Sequence, residues 1–132
     1  MQTPQKEVIV PAGGAKPLAP YSPGIRAGQF VYTSGQIGLD SATGKLAPGG
    51  VQAEAKQALE NLKAVLEAAG ASLESVVKTT VFMQDIGDYA AINEIYGGYF
   101  SADPPARSAV QVAALPAGAL VEVEAVALVN AA

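Results

Sequence analysis

The sequence predicts an α+β fold, a sheet carrying two helices on one of its faces. Three observations lead there. One long segment repeats apolar residues at three- and four-residue steps, several short segments are β-branched or alternate with period two, and the two kinds are interleaved along the chain. The expected order is strand, strand, helix, strand, helix, strand, strand.

EVIV, Glu7 to Val10, is a short strand. PAGGAKPLAPYSPG, which follows with four prolines and three glycines in fourteen residues, has the composition of a loop. QFVYTSGQIGL, Gln29 to Leu39, reads as a strand interrupted at Ser34-Gly35, where a bulge or a close backbone approach is expected. DSATGK supplies a turn. Val51, Ala55, Ala58, Leu59, Leu62, Val65, Leu66 and Ala69 form one stripe of an amphipathic helix, closed by Gly70.

SVVKTTVFMQD, Ser75 to Asp85, is a β-branched strand. Asp88 is placed to cap a second helix whose stripe runs through Tyr89, Ile92, Ile95, Tyr96 and Tyr99. Gly97-Gly98 weakens its end by about 1 kcal/mol per glycine relative to alanine. Arg107 to Ala114 and Leu120 to Leu128 are the closing strands, and PAG between them suits a simple hairpin. VEVEAVALV is apolar on both faces except at Glu122 and Glu124, which suggests burial on both. Two helices cover one face only, so a neighbouring subunit is expected on the other.

At 132 residues the chain reads as one domain over residues 1–132, with no internal repeat or dividing linker. No apolar run reaches the roughly 18 residues of a membrane span, and the N-terminus lacks a signal-peptide pattern, so a cytoplasmic location is expected. There is no cysteine and no histidine. Disulfides, thiol nucleophiles and the commonest general base are thereby excluded, leaving carboxylates, hydroxyls, backbone groups and water. Eight basic residues against twelve acidic give a net charge of −4, and the basic ones are scattered singly. That distribution counts against a nucleic-acid partner. The glycine-rich stretches lack the spacing of a nucleotide site.

Arg107 is the first candidate for chemistry. It is either a surface arginine in a weak salt bridge or an anion clamp; Pro104 and Pro105 stiffen its approach, and Ala106 and Ala109 leave room for bidentate capture of a carboxylate. Glu122 and Glu124 point the same way along a strand. One or both line an exposed face, or one stands at a pocket wall as a general base. In a simple hairpin Glu122 lies roughly 17 Å along the ladder from Arg107, at about 3.3 Å per residue. A site using both then needs two subunits or unusual pairing. Tyr21, between Pro20 and Pro23, packs at an edge or closes a pocket. Ser34 and Gly35 form a bulge or admit a ligand to backbone N–H groups, and Asn93 either faces solvent or belongs to a site.

PYSPGIRAGQFVYTSGQIGLD, ALENLKAVLEAAGAS, VVKTTVFMQD, INEIYGGYF and PPARSAVQVAALPAGALVEVEAVA resemble, in order, the motifs of the Rid family of enamine and imine deaminases, from about Pro20 to Val126. The likeness is greatest to the RidA type, the 2-iminobutanoate/2-iminopropanoate deaminases. The resemblance implies a chorismate-mutase-like fold, a homotrimer with clefts between subunits, and no cofactor. It also implies that Arg107 binds the substrate carboxylate and Glu122 orients the attacking water. Tyr21, Ser34, Gly35 and Asn93 would shape the cavity, with backbone groups at Ala109, where many relatives have cysteine. Pro23 also departs from the frequent glutamine. The activity implied is hydrolysis of 2-imino acids to 2-keto acids and ammonia. A different enamine substrate, such as an aminomuconate-like compound, non-catalytic binding of a carboxylate metabolite, and ribonuclease action are the alternatives.

Overall fold

The computed structural model describes residues 5–13, 17 and 19–130. Residues 14–16 and 18 of the proline-rich loop lie outside the described residues. The elements are β1 (Lys6–Ile9), β2 (Gly24–Ala27), β3 (Phe30–Thr33), β4 (Gln36–Ile37), β5 (Leu39–Asp40), β6 (Lys45–Leu46), α1 (Val51–Ala68), β7 (Val76–Met83), α2 (Tyr89–Tyr99), β8 (Ala106–Gln111) and β9 (Val121–Leu128). They build a mixed sheet with both helices against one face, the expected α+β class. No helix among the described residues is long and apolar enough to cross a membrane.

The main sheet runs β1-β2-β3-β9-β7-β8, with β4 also on β9, while β5 and β6 pair separately. Every pairing is antiparallel except β7 with β8. The expected hairpin of the last two strands is therefore incorrect. β8 lies outside β7 and β9 inside it, so β7 separates them. The crossover helix α2 lets β8 run parallel to β7. The most apolar strand, β9, then takes the centre of the sheet, where both its edges are paired. One strand is absent from the sequence reading: GIRA, which begins at the last residue of the proline-rich loop, forms β2 by pairing with β1 and β3.

The core forms between α1 and the sheet. Leu59, Leu62, Val65 and Leu66 of α1 are buried against Val31, Val81, Met83, Val121 and Val123. Burying side chains of this size stabilises by about 1.5–3 kcal/mol each, before the cost of ordering them. Gly70, at φ 79°, closes α1 as expected. The Ala71 N–H donates to Leu66 O and the Gly70 N–H to Glu67 O, the paired bonds of a Schellman turn. Asp88 takes the N-cap position of α2, as expected, but the side chain that caps is Asp85, on the 3-10 turn Ile86–Asp88 leading into the helix. Asp85 Oδ1 accepts the Gly87 N–H at 2.8 Å, whereas Asp88 makes no side-chain cap bond.

Period-two alternation sorts the sheet into two faces. Thr79, Val81 and Met83 of β7, and Val121, Val123, Ala125 and Ala127 of β9, are buried on the helix side. Glu122, Glu124 and Val126 are half-buried on the other side and Leu128 is exposed there. Phe30, Tyr32 and Val110 are also exposed.

Candidate functional site

The sequence candidates gather into two clusters on opposite faces of the sheet. The first surrounds Glu122. Tyr32 pairs with Val126, and Gln36 with Val123. Four steps along the β3–β4 segment thus match three along β9, so Ser34-Gly35 holds the one-residue bulge that the sequence predicts. Ser34 Oγ donates to Ser22 O at 2.6 Å, and the Ser34 N–H donates to Pro23 O at 2.9 Å, tying the bulge to the segment that carries Tyr21. Gly35 lies directly over the Glu122 carboxyl. A Cβ there would stand 2.6 Å from Glu122 Cδ and 2.7 Å from Oε2, so only glycine leaves the carboxylate in place.

Tyr21, Ser34, Gly35, Glu122 and Glu124 line one cavity of about 920 Å³. Its charged lining residues are the two glutamates, and no lysine or arginine stands among the described residues around it. Burial pushes the Glu122 carboxyl above the ordinary glutamate range, and the charge of Glu124 adds to the rise. Such a carboxyl takes up a proton more readily than an exposed one, which suits a group that must accept and return protons.

Two residues that hold this cavity escaped the sequence reading. Asn61 Nδ2 donates to Ile37 O at 3.0 Å and to Leu39 O at 2.9 Å, pinning β4 and β5 to α1. Glu54, only 6% exposed, accepts the Leu120 N–H on Oε1 at 2.9 Å and so fixes the start of β9 two residues before Glu122. A glutamate in the first turn of a helix already suits the helix dipole, so nothing in the sequence marks Glu54 as buried. Asn61 carries only the weak signal of a polar residue beside an apolar stripe.

The second cluster surrounds Arg107. Its Nη1 donates to Asn93 Oδ1 at 2.8 Å and its Nη2 to the Tyr89 hydroxyl at 2.9 Å. The guanidinium carbon lies 5.4 Å from the Tyr89 ring centre and 4.7 Å from that of Tyr96. Both are within cation–π range. The Tyr96 hydroxyl is paired with Thr79 Oγ1 at 2.7 Å in the interior. Burial raises the Tyr96 phenol, against the opposing effects of the Thr79 bond and the Arg107 charge. The guanidinium is thus held by one face of α2, and among the described residues three of its N–H groups are left for another partner. Asn93 belongs here as a structural anchor of Arg107. Tyr89 was read only as part of the helix stripe. Ala109, two residues beyond Arg107 on the same strand, packs against the core.

Register places these clusters on opposite sides. Arg107 is level with Thr79, and Thr79 with Ala125, all on the helix side. Glu122 is level with Phe82, three residues along from Thr79, and so points away from the helices. The separation expected from a hairpin register gives way to a stricter one: within one chain a sheet stands between Arg107 and Glu122.

The chain matches the family model described as endoribonuclease L-PSP over residues 13–129. The chain belongs to the Rid family. Its Rid relatives include a RutC family protein, UK114, of Drosophila melanogaster, 50% identical over 97% of this chain and 93% of that one. Human 2-iminobutanoate/2-iminopropanoate deaminase is 49% identical, covering 93% of this chain and 90% of its own. Among solved structures, Escherichia coli TdcF with bound serine superimposes with a TM-score of 0.88 at 41% identity, covering 94% of this chain and 99% of that one.

Proposed function

We propose that this Rid protein hydrolyses small 2-imino acids, such as 2-iminobutanoate and 2-iminopropanoate, to 2-keto acids and ammonia, in clefts shared by neighbouring copies of a homotrimer. One observation carries the reading: the cavity holding the perturbed Glu122 contains no cation among its described lining, while a caged guanidinium with free N–H groups stands on the opposite sheet face. Among its described residues the cavity's charges are both carboxylates, which do not attract a substrate carboxylate. Joined to the Arg107 cluster of another copy, it becomes a pocket with an anion clamp at one end and a base at the other. The exposed Phe30, Tyr32, Val110 and Leu128 supply apolar area for such an assembly.

In this scheme Arg107 binds the substrate carboxylate and fixes the imine carbon near Glu122. Glu122 accepts a proton from water as the water oxygen bonds to that carbon, and the C=N electron pair moves to nitrogen. Nitrogen takes up that proton to give a tetrahedral amino alcohol; the hydroxyl proton then passes through Glu122 to the same nitrogen as the C–N bond breaks, releasing ammonia and leaving the ketone. Tyr21, Ser34 and Gly35 shape the cavity, Asn93 orients Arg107, and Ala109 shares the helix-side face with the clamp. Positioning supplies much of the effect, because bringing reactants together is itself a large rate factor.

The relative named as an imine deaminase and the serine bound to TdcF support a small ligand bearing a carboxylate. Ribonuclease action is not favoured, because phosphate recognition draws on clustered basic residues and the cavity is lined by carboxylates. The test is to generate 2-iminobutanoate and 2-iminopropanoate in situ and follow keto-acid release. Acceleration over the uncatalysed reaction supports the reading; saturable binding of 2-oxobutanoate without acceleration would replace it with a binding function.

Gly35→Ala is the local test of the carboxylate's placement. The new methyl meets the mobile end of Glu122, so the fold should persist while the carboxyl shifts. Displacement of about 1 Å costs on the order of a hundredfold in rate. Steady-state kinetics beside a thermal melt should show that loss with little change in Tm.

A further inference from the structure

Arg107 carries five N–H donors and no acceptor. In its bond to Tyr89 the phenol oxygen must therefore accept, which leaves the Tyr89 proton to be given elsewhere. Among the described residues, Arg107 is the one hydrogen-bond partner of this hydroxyl, and the side chain is 42% exposed. Tyr96 differs: its ring also faces the guanidinium, but its hydroxyl is enclosed with Thr79. Accepting a bond from a cation polarises the Tyr89 O–H and strengthens it as a donor.

We propose that Tyr89 is a second carboxylate-binding and specificity-determining residue: its O–H donates to one carboxylate oxygen of a 2-imino or 2-oxo acid while a free N–H of Arg107 holds the other. This rests on the reading of Arg107 as the anion clamp. A carboxylate bridging two unlike donors is fixed in its own plane, and an amide, with one acceptor oxygen, satisfies only one of them. The site thereby selects acids over their amides.

Three variants test this, with calorimetric titration of 2-oxobutanoate and kinetics on 2-iminobutanoate. Tyr89→Phe keeps the ring over Arg107 and removes the hydroxyl. It is expected to weaken 2-oxobutanoate binding and raise KM, each roughly tenfold, with kcat within about a factor of two. 3-Fluorotyrosine installed at position 89 is a better donor and a poorer acceptor. It lowers KM if Tyr89 donates to the substrate; an unchanged or raised KM would overturn the proposal and leave Tyr89 as a support for Arg107. Wild-type binding and KM in Tyr89→Phe, with both lost in Arg107→Ala, would refute the role of Tyr89 and leave the clamp standing. Wild-type binding in Arg107→Ala would overturn the clamp and this proposal together.

Discussion

Arg107→Ala is expected to lower kcat/KM for 2-iminobutanoate by about a hundredfold or more, because each hydrogen bond to a charged group contributes about 1.5–3 kcal/mol and the clamp makes more than one. The loss should appear in KM and in kcat, since an unclamped substrate is both weakly held and poorly aimed. Arg107→Lys should recover little. An ammonium cannot reproduce the planar fork that reaches Asn93 and Tyr89 while still offering N–H groups to a ligand. The fold is expected to survive either change, as Arg107 sits on the edge strand with its head group only partly buried. Near-normal turnover by a folded Arg107→Ala protein would remove the mechanism.

Glu122→Gln should be the other severe change. Removing a general base of this kind typically costs about 10²- to 10⁴-fold, and here the loss should fall on kcat with KM largely kept. Stability should move in the opposite direction. Burial, reinforced by Glu124, raises the Glu122 carboxyl above its ordinary value, so the folded chain binds that proton more tightly than the unfolded one. Stability from this group is therefore greatest at low pH and declines as pH rises above the ordinary glutamate range through the raised value. At neutral pH, glutamine removes the penalty, and Tm should stay level or rise while activity collapses. The same shift fixes the acid limb of the wild-type pH–rate profile above the usual glutamate range. Glu124→Gln, which removes the smaller of the two causes, should move that limb partway down in pH. A limb that stays put would mean that another group controls it.

How far the sequence could be read depended on the range of the interactions involved. Helix α1 was legible because its apolar stripe is a local pattern, and Gly70 ends it for a local reason. The bulge at Ser34-Gly35 was legible for the same kind of reason. Arg107 and Glu122 stood out because an arginine among small residues and paired acids in an apolar strand are anomalies within their own segments. Their relative placement was misread because strand pairing is not local. A short turn between two strands suggests a hairpin, yet β8 gains a partner in β7 through α2, and β9 takes the opposite edge of β7. Strand β2 was hidden for a related reason: GIRA has little pattern of its own and becomes a strand between β1 and β3. Tyr89, Asn61 and Glu54 acquire their roles only from partners 18, 24 and 66 residues away.

The opposed faces of Arg107 and Glu122 make the shared site directly testable. Chains carrying Arg107→Ala and chains carrying Glu122→Gln, each nearly inactive alone, would be co-expressed with different tags and purified as mixed assemblies. A cleft that takes its arginine from one chain and its glutamate from the next is intact wherever a Glu122→Gln chain lends its arginine to an Arg107→Ala neighbour. In a ring of randomly mixed chains this occurs at about a quarter of the interfaces. Recovery of about that fraction of wild-type activity is the predicted result. Mixed assemblies no more active than the sum of their parents would contradict a site built between two chains.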